Sequence, residues 1–90
     1  MAAASAAEIK REIQQLEARL QRLHVFLAEV VASTANECKE RKAAAKDNDP
    51  SAVVRCNQHI SVLHSQYLAA YVQRGRVSNQ LADLRQQAQQ

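Results

Sequence analysis

The sequence predicts an all-α protein, an antiparallel hairpin of two long helices spanning about residues 5–46 and 50–89. Three observations predict it. Apolar residues recur at alternating steps of three and four in both halves of the chain, a spacing that averages 3.5 residues and draws one seam along a helix. The turn residues are confined to one place near the middle. The composition, with one Gly, one Pro, no Trp, one Phe and two Tyr among 90 residues, suits long helices and not a sheet protein with many turns.

The first helix should begin at Ser5-Ala6-Ala7-Glu8, which matches the S-x-x-E capping box. Its seam follows at once: Ile9, Ile13, Leu16, Leu20, Leu23, Leu27 and Val30. Beyond Val30 the pattern thins to Thr34, Cys38 and the alanines Ala43, Ala44 and Ala45, while Glu37 and Arg41 stand as an i,i+4 ion pair. Alanine and lysine keep helical propensity high there. The helix therefore continues to about Lys46, with the basic last turn that the helix dipole favours.

Asp47-Asn48-Asp49-Pro50 is the turn. Asp49 suits an N-cap and Pro50 a first helical turn, where a missing N–H costs nothing. So short a link sets its two helices antiparallel. The second seam runs through Val53, Cys56, Ile60, Leu63, Tyr67, Ala70, Arg74, Val77, Leu81, Leu84 and Ala88. Its phase never slips across Gly75, and a glycine costs only about 1 kcal/mol in a helix interior, so one continuous helix is expected. A bend at Arg74-Gly75-Arg76, producing a short third helix and a three-helix bundle, is the alternative. Arg74 is the one charged residue on this seam. It either snorkels past the partner helix into water or fixes register and meets another chain.

Ninety residues make at most one small domain, here a single helical unit over 1–90. Residues 1–50 carry eight basic and eight acidic side chains, whereas residues 51–90 carry Arg55, Arg74, Arg76 and Arg85 against Asp83 alone. The net charge of +3 thus belongs to the second helix, a mild bias toward an acidic partner. It is too sparse for a nucleic-acid interface. No apolar run reaches the length of a membrane span, and mixed charge on the first helix argues against a membrane-surface helix. Met1–Ala7 is alanine-rich but leads into Glu8, Lys10, Arg11 and Glu12, unlike a secretory signal or transit peptide. A cytoplasmic protein is expected.

Catalysis and cofactors find no support. A cysteine nucleophile needs a base and an orienting group around a cleft, and no glycine-rich phosphate cradle occurs. Cys56 and His59 lie at i,i+3, but a structural zinc site needs four converging ligands. No Cys-x-x-Cys is present, and His59 and His64 fall on different faces, so no metal is expected. Cys38 and Cys56 flank the turn at unequal distances, which leaves a disulfide open and unforced; two reduced thiols are expected. Val25, Phe26, Leu27, Val30 and Val31, with Tyr71 beside Tyr67 and Ala70, make apolar faces wider than two helices can cover. A third helix, a second copy of the chain in a homodimer or a client protein would cover them.

The layout resembles tubulin-binding cofactor A, a family of small all-helical chaperones that hold free β-tubulin. The resemblance rests on Arg19-Leu20 and Arg22-Leu23 in the first helix and on the Asp47-Asn48-Asp49-Pro50 turn. It continues in Gln58 to Leu63, in Gln73-Arg74-Gly75-Arg76 and in Asp83-Leu84-Arg85. The chain lacks the proline that the family carries near the middle of its second helix. It leaves at most Val77 to Gln90 for the family's third helix, so either that helix is truncated or self-association takes its place. The resemblance implies a non-enzymatic, cytoskeleton-associated chaperone that captures β-tubulin ahead of αβ-heterodimer assembly, without cofactor. Gln73, Arg74, Arg76 and Arg85 would contact the client, with Tyr67 and Tyr71 as anchors. A structural coiled-coil subunit of a larger kinetochore, cytoskeletal or tethering assembly is the other reading that two unsatisfied seams allow.

Overall fold

A computed structural model describes residues 5–90; of the Met1–Ala7 segment, the first four residues lie outside the described range. Two helices form, α1 (Ala6–Lys46) and α2 (Pro50–Ala88). They pack side by side as an antiparallel hairpin 66 × 19 × 14 Å in extent. Forty-one residues of α1 at 1.5 Å per residue give about 61 Å, so the long axis is the length of one helix. No described helix is long and apolar enough to cross a membrane.

Each helix starts on a side-chain cap. Ser5 Oγ accepts from the Glu8 N–H at 3.1 Å, and Asp49 Oδ1 accepts from the Ala52 N–H at 3.2 Å, each satisfying one of the donors that a first turn leaves free. Pro50 takes the first helical position of α2. The end of α1 is a Schellman closure: the Asp49 N–H donates to the Ala44 carbonyl at 2.9 Å and the Asn48 N–H to the Ala45 carbonyl at 3.2 Å. Asn48 occupies the left-handed position, with φ 54°, which asparagine tolerates better than most residues. Asp49 thus finishes one helix and caps the next, and the reversal takes three residues.

The second seam lies in the interface as spaced. Cys56, Ala70, Val77 and Leu81 are buried, and Val53, Ile60, Leu63, Tyr67, Arg74 and Leu84 are half-buried; only Ala88, in the last turn, is exposed. The helix runs unbroken through Gly75, so no bend or third helix forms. A single glycine removes only local propensity, while the seam on either side stays in phase with α1.

The first seam is longer than its apolar residues alone suggest. Leu27, Val30 and Ala44 are buried, and Thr34, Glu37 and Arg41 between them are half-buried, so the 3-4 phase reaches the loop. Thr34 silences its hydroxyl by donating to the Val30 carbonyl at 2.8 Å. The Glu37–Arg41 pair expected within α1 does not form. Glu37 instead meets His59 at 3.2 Å, and Arg41 donates to Asn57 Oδ1 at 3.0 Å. Both side chains point at α2, and cross-helix partners are nearer than each other.

Candidate protein-binding groove

The seam residues face inward, so the stripes on either side of them set the chemistry of the two flanks. On one flank, Val31, Ala35 and Cys38 of α1 follow i, i+4, i+7 spacing, and His64, Leu68 and Tyr71 of α2 do the same. The α1 stripe and His64 of the α2 stripe, with seam residues between them, form an open trough. Val30, Val31, Thr34, Ala35, Cys38, Ile60, His64 and Tyr67 line it. Ala35 is small, which keeps the α1 wall low enough for another backbone to approach.

Tyr67 and Tyr71 extend the trough toward the free ends of the helices. Their rings stack with centroids 6.3 Å apart and planes 22° apart. The Arg74 guanidinium lies 4.9 Å from the Tyr71 ring centroid. Arg74 is therefore half-buried on the seam but turned onto an aromatic face, worth about 0.5–1 kcal/mol where water still reaches it. The stem covers the seam and the charge sits over the Tyr71 ring. Tyr71 is 51% exposed and Leu68 49%, so two bulky apolar residues beside the trough stand open to solvent.

The opposite flank is polar. Glu12, Gln15, Arg19, Arg22, Gln80, Asp83 and Gln87 line a shallow groove there toward the free ends. Arg19 Nη2 donates to Gln73 Oε1 at 3.0 Å across the hairpin. Gln73 and Arg76 share the helical stripe of Gln80 and Asp83, whereas Arg85 continues the stripe of His64 and Tyr71. The six residues named from the sequence are thus divided. Tyr67, Tyr71, Arg74 and Arg85 belong to the apolar flank and its extension. Gln73 and Arg76 lie on the other side, with Gln73 already engaged by Arg19.

Sequence reasoning missed the α1 wall of the trough, Val31, Ala35 and Cys38, as a unit. The signal was present: these positions sit one step beside the seam at i, i+4, i+7, and the stripe contains no carboxylate between His24 and Lys42. Apolar side chains of α1 are uncovered both in this wall and beside it. Val31 is 56%, Val25 48% and Phe26 39% exposed, as expected for a face wider than one partner helix can bury.

Both cysteines are free thiols, Cys38 half-buried in the trough wall and Cys56 buried in the interface. Burial pushes the Cys56 thiol above its ordinary pKa; the adjacent Glu37 carboxylate raises it further, as acceptor and as negative charge, and Glu40 adds to this. Arg55 acts in the opposite direction. A thiol so placed is a poor nucleophile at neutral pH.

No family model matches this chain, and no curated protein or solved structure matches it either.

Proposed function

We propose that this chain is a non-enzymatic protein-binding hairpin whose trough seats an amphipathic helix of another protein. One observation carries the reading: Val31, Ala35 and Cys38 of α1 and Ile60, His64 and Tyr67 of α2 line an open apolar groove along the rod, which the exposed Leu68 and Tyr71 flank on α2. A helix laid into such a groove presents its own i, i+4, i+7 residues to both walls. The basic groups beside it, Arg74 over Tyr71, Arg85 further along and Lys42 at the loop end, favour a partner helix with carboxylates on its rim.

The resemblance to tubulin-binding cofactor A makes free β-tubulin the first partner to test, held ahead of αβ-heterodimer assembly. A second reading, a permanent subunit of a larger coiled-coil assembly, is favoured by Val25, Phe26 and Val62, which are exposed outside the trough and would need further cover.

The test is sedimentation of the full chain alone and with purified tubulin, at two salt concentrations. A salt-sensitive complex that is lost in Leu68→Asp and Tyr71→Asp, and kept in Gln73→Ala, supports capture through the trough. No complex with tubulin, together with concentration-dependent self-association of the chain, assigns it to the assembly class. A complex untouched by the trough substitutions overturns the binding surface.

A further inference from the structure

The trough face is wide, and its two ends carry charges of opposite order. A folded monomer of 10.0 kDa exposes about 5,200 Å², whereas this chain exposes 6869 Å². The difference exceeds the ~800 Å² that a standard interface takes from each partner, and the hairpin offers a face 66 × 19 Å in outline. Four bulky apolar side chains left exposed, Val31, Val54, Leu68 and Tyr71, lie on this face. Followed along α1, the stripe of Val31, Ala35 and Cys38 holds no charged residue between Glu17 toward the free end and Lys42 toward the loop. The one ion pair among the described residues is His59–Glu37, so Glu17 and Lys42 are unpaired within the hairpin. Their midpoint falls beside Val30, which lines the trough together with Tyr67; the same level on α2 is therefore Tyr67–Leu68.

We propose that, when no partner helix is bound, a second copy of this chain occupies the trough. It lies antiparallel, with its loop at the opposite end, and forms a four-helix bundle with Leu68 on the two-fold axis. The dimer uses the trough on which the proposed function rests, but it requires no client. In a two-fold contact every pairing occurs twice. Centred at Leu68, the contact sets Glu17 of each copy against Lys42 of the other and brings Lys10 level with Asp49. On α2, equal distances either side of Leu68 bring Tyr71 against His64, and Val54 against the small Ala82. Laid the other way, with both loops at one end, the copies would crowd Lys10 and Arg85 of both chains at the free ends. Asp47 and Asp49 of both would then meet at the loops, and such like-charge juxtaposition disfavours that arrangement. The dimer buries the surface that seats a partner helix. Chain concentration thus sets how much trough is free, and a partner binds in competition with the second copy.

Sedimentation equilibrium of the full, reduced chain alone, from micromolar to near-millimolar concentration, tests the dimer without any client. The parent chain should pass from monomer to dimer. Leu68→Asp, which sets two carboxylates face to face on the axis, should keep it monomeric while circular dichroism shows the helices intact. Glu17→Lys and Lys42→Glu should each weaken dimerisation by about tenfold, since two attractive pairs become repulsive. An equimolar mixture of these two variants should regain the parent affinity, because every facing pair is then of opposite sign. Gln21→Cys should form an interchain disulfide with Cys38 of the other copy under mild oxidation. Within one chain the two positions are about 25 Å apart along the helix, well beyond the ~7 Å that a disulfide spans. A parent chain that stays monomeric throughout overturns the proposal and leaves the trough to another protein. A dimer that survives Leu68→Asp overturns the surface, and a variant mixture that does not recover affinity overturns the antiparallel register.

Discussion

Leu81 and Leu68 offer a controlled test of which face of α2 meets α1. They are the same residue type on the same helix, yet Leu81 keeps 1% of its surface exposed and Leu68 49%. Truncating a buried leucine to alanine costs about 2–5 kcal/mol, the lost transfer energy plus the residual cavity. A two-helix layer has few neighbours to hold a cavity open, so Leu81→Ala should fall near the low end, about 2–3 kcal/mol. Leu68→Ala removes side chain that is half in water and adds helical propensity, so it should stay within about 0.5 kcal/mol. With a urea slope of about 1 kcal/mol per molar, the low end for a small chain, Leu81→Ala should lower the unfolding midpoint by ~2–3 M. Helical circular dichroism against urea, at two protein concentrations, reads both variants. Leu68→Ala costing as much as Leu81→Ala at both concentrations would refute the facing described above. An equal cost only at high concentration would instead report a second copy seated on the trough.

Gly75 lies inside α2, and a Cβ added there meets nothing within 4 Å; Gly75→Ala should raise stability by about 0.5–1 kcal/mol, read as a higher melting temperature. Asp49 caps α2 through its side chain, and Asp49→Ala should cost about 1 kcal/mol in the same urea assay. At neutral pH, Cys38 should react with an alkylating reagent well before Cys56, as peptide mapping would show, because Cys56 is buried and its thiol pKa is raised. The same shift gives a sign for pH. The folded chain holds the Cys56 proton more tightly than the unfolded one, so stability contributed by the neutral thiol is present below the ordinary thiol value of 9.0 and declines as pH rises through and above it. Urea midpoints at pH 7 and pH 10 should show this decline, and Cys56→Ala should lessen it.

The hairpin was legible in the sequence because its causes are local. The 3-4 phase of Val53 to Leu84, the Ser5 and Asp49 caps and the Asn48 reversal each act within a few residues. They specify two helices and a turn whatever surrounds them. The exposed Phe26, Val31 and Tyr71 were legible for the same reason, since a seam two positions wide cannot cover a face of four. Reading residue character in place of phase, however, thinned the first seam beyond Val30 to Thr34, Cys38 and the alanines. Continued in step, it would have placed Glu37 and Arg41 against α2.

Register across the hairpin had to come from the tertiary structure, because it depends on the closure at Ala44–Asp49 and on how two surfaces settle together. That register directs Arg19 to Gln73. It sets Glu37 beside His59 instead of Arg41, gathers Glu40 and Cys56 with them, and aligns the two stripes of the trough. Periodicity tells a helix which side to bury; the pairing of residues far apart in sequence is decided only when the two rods meet at a fixed offset.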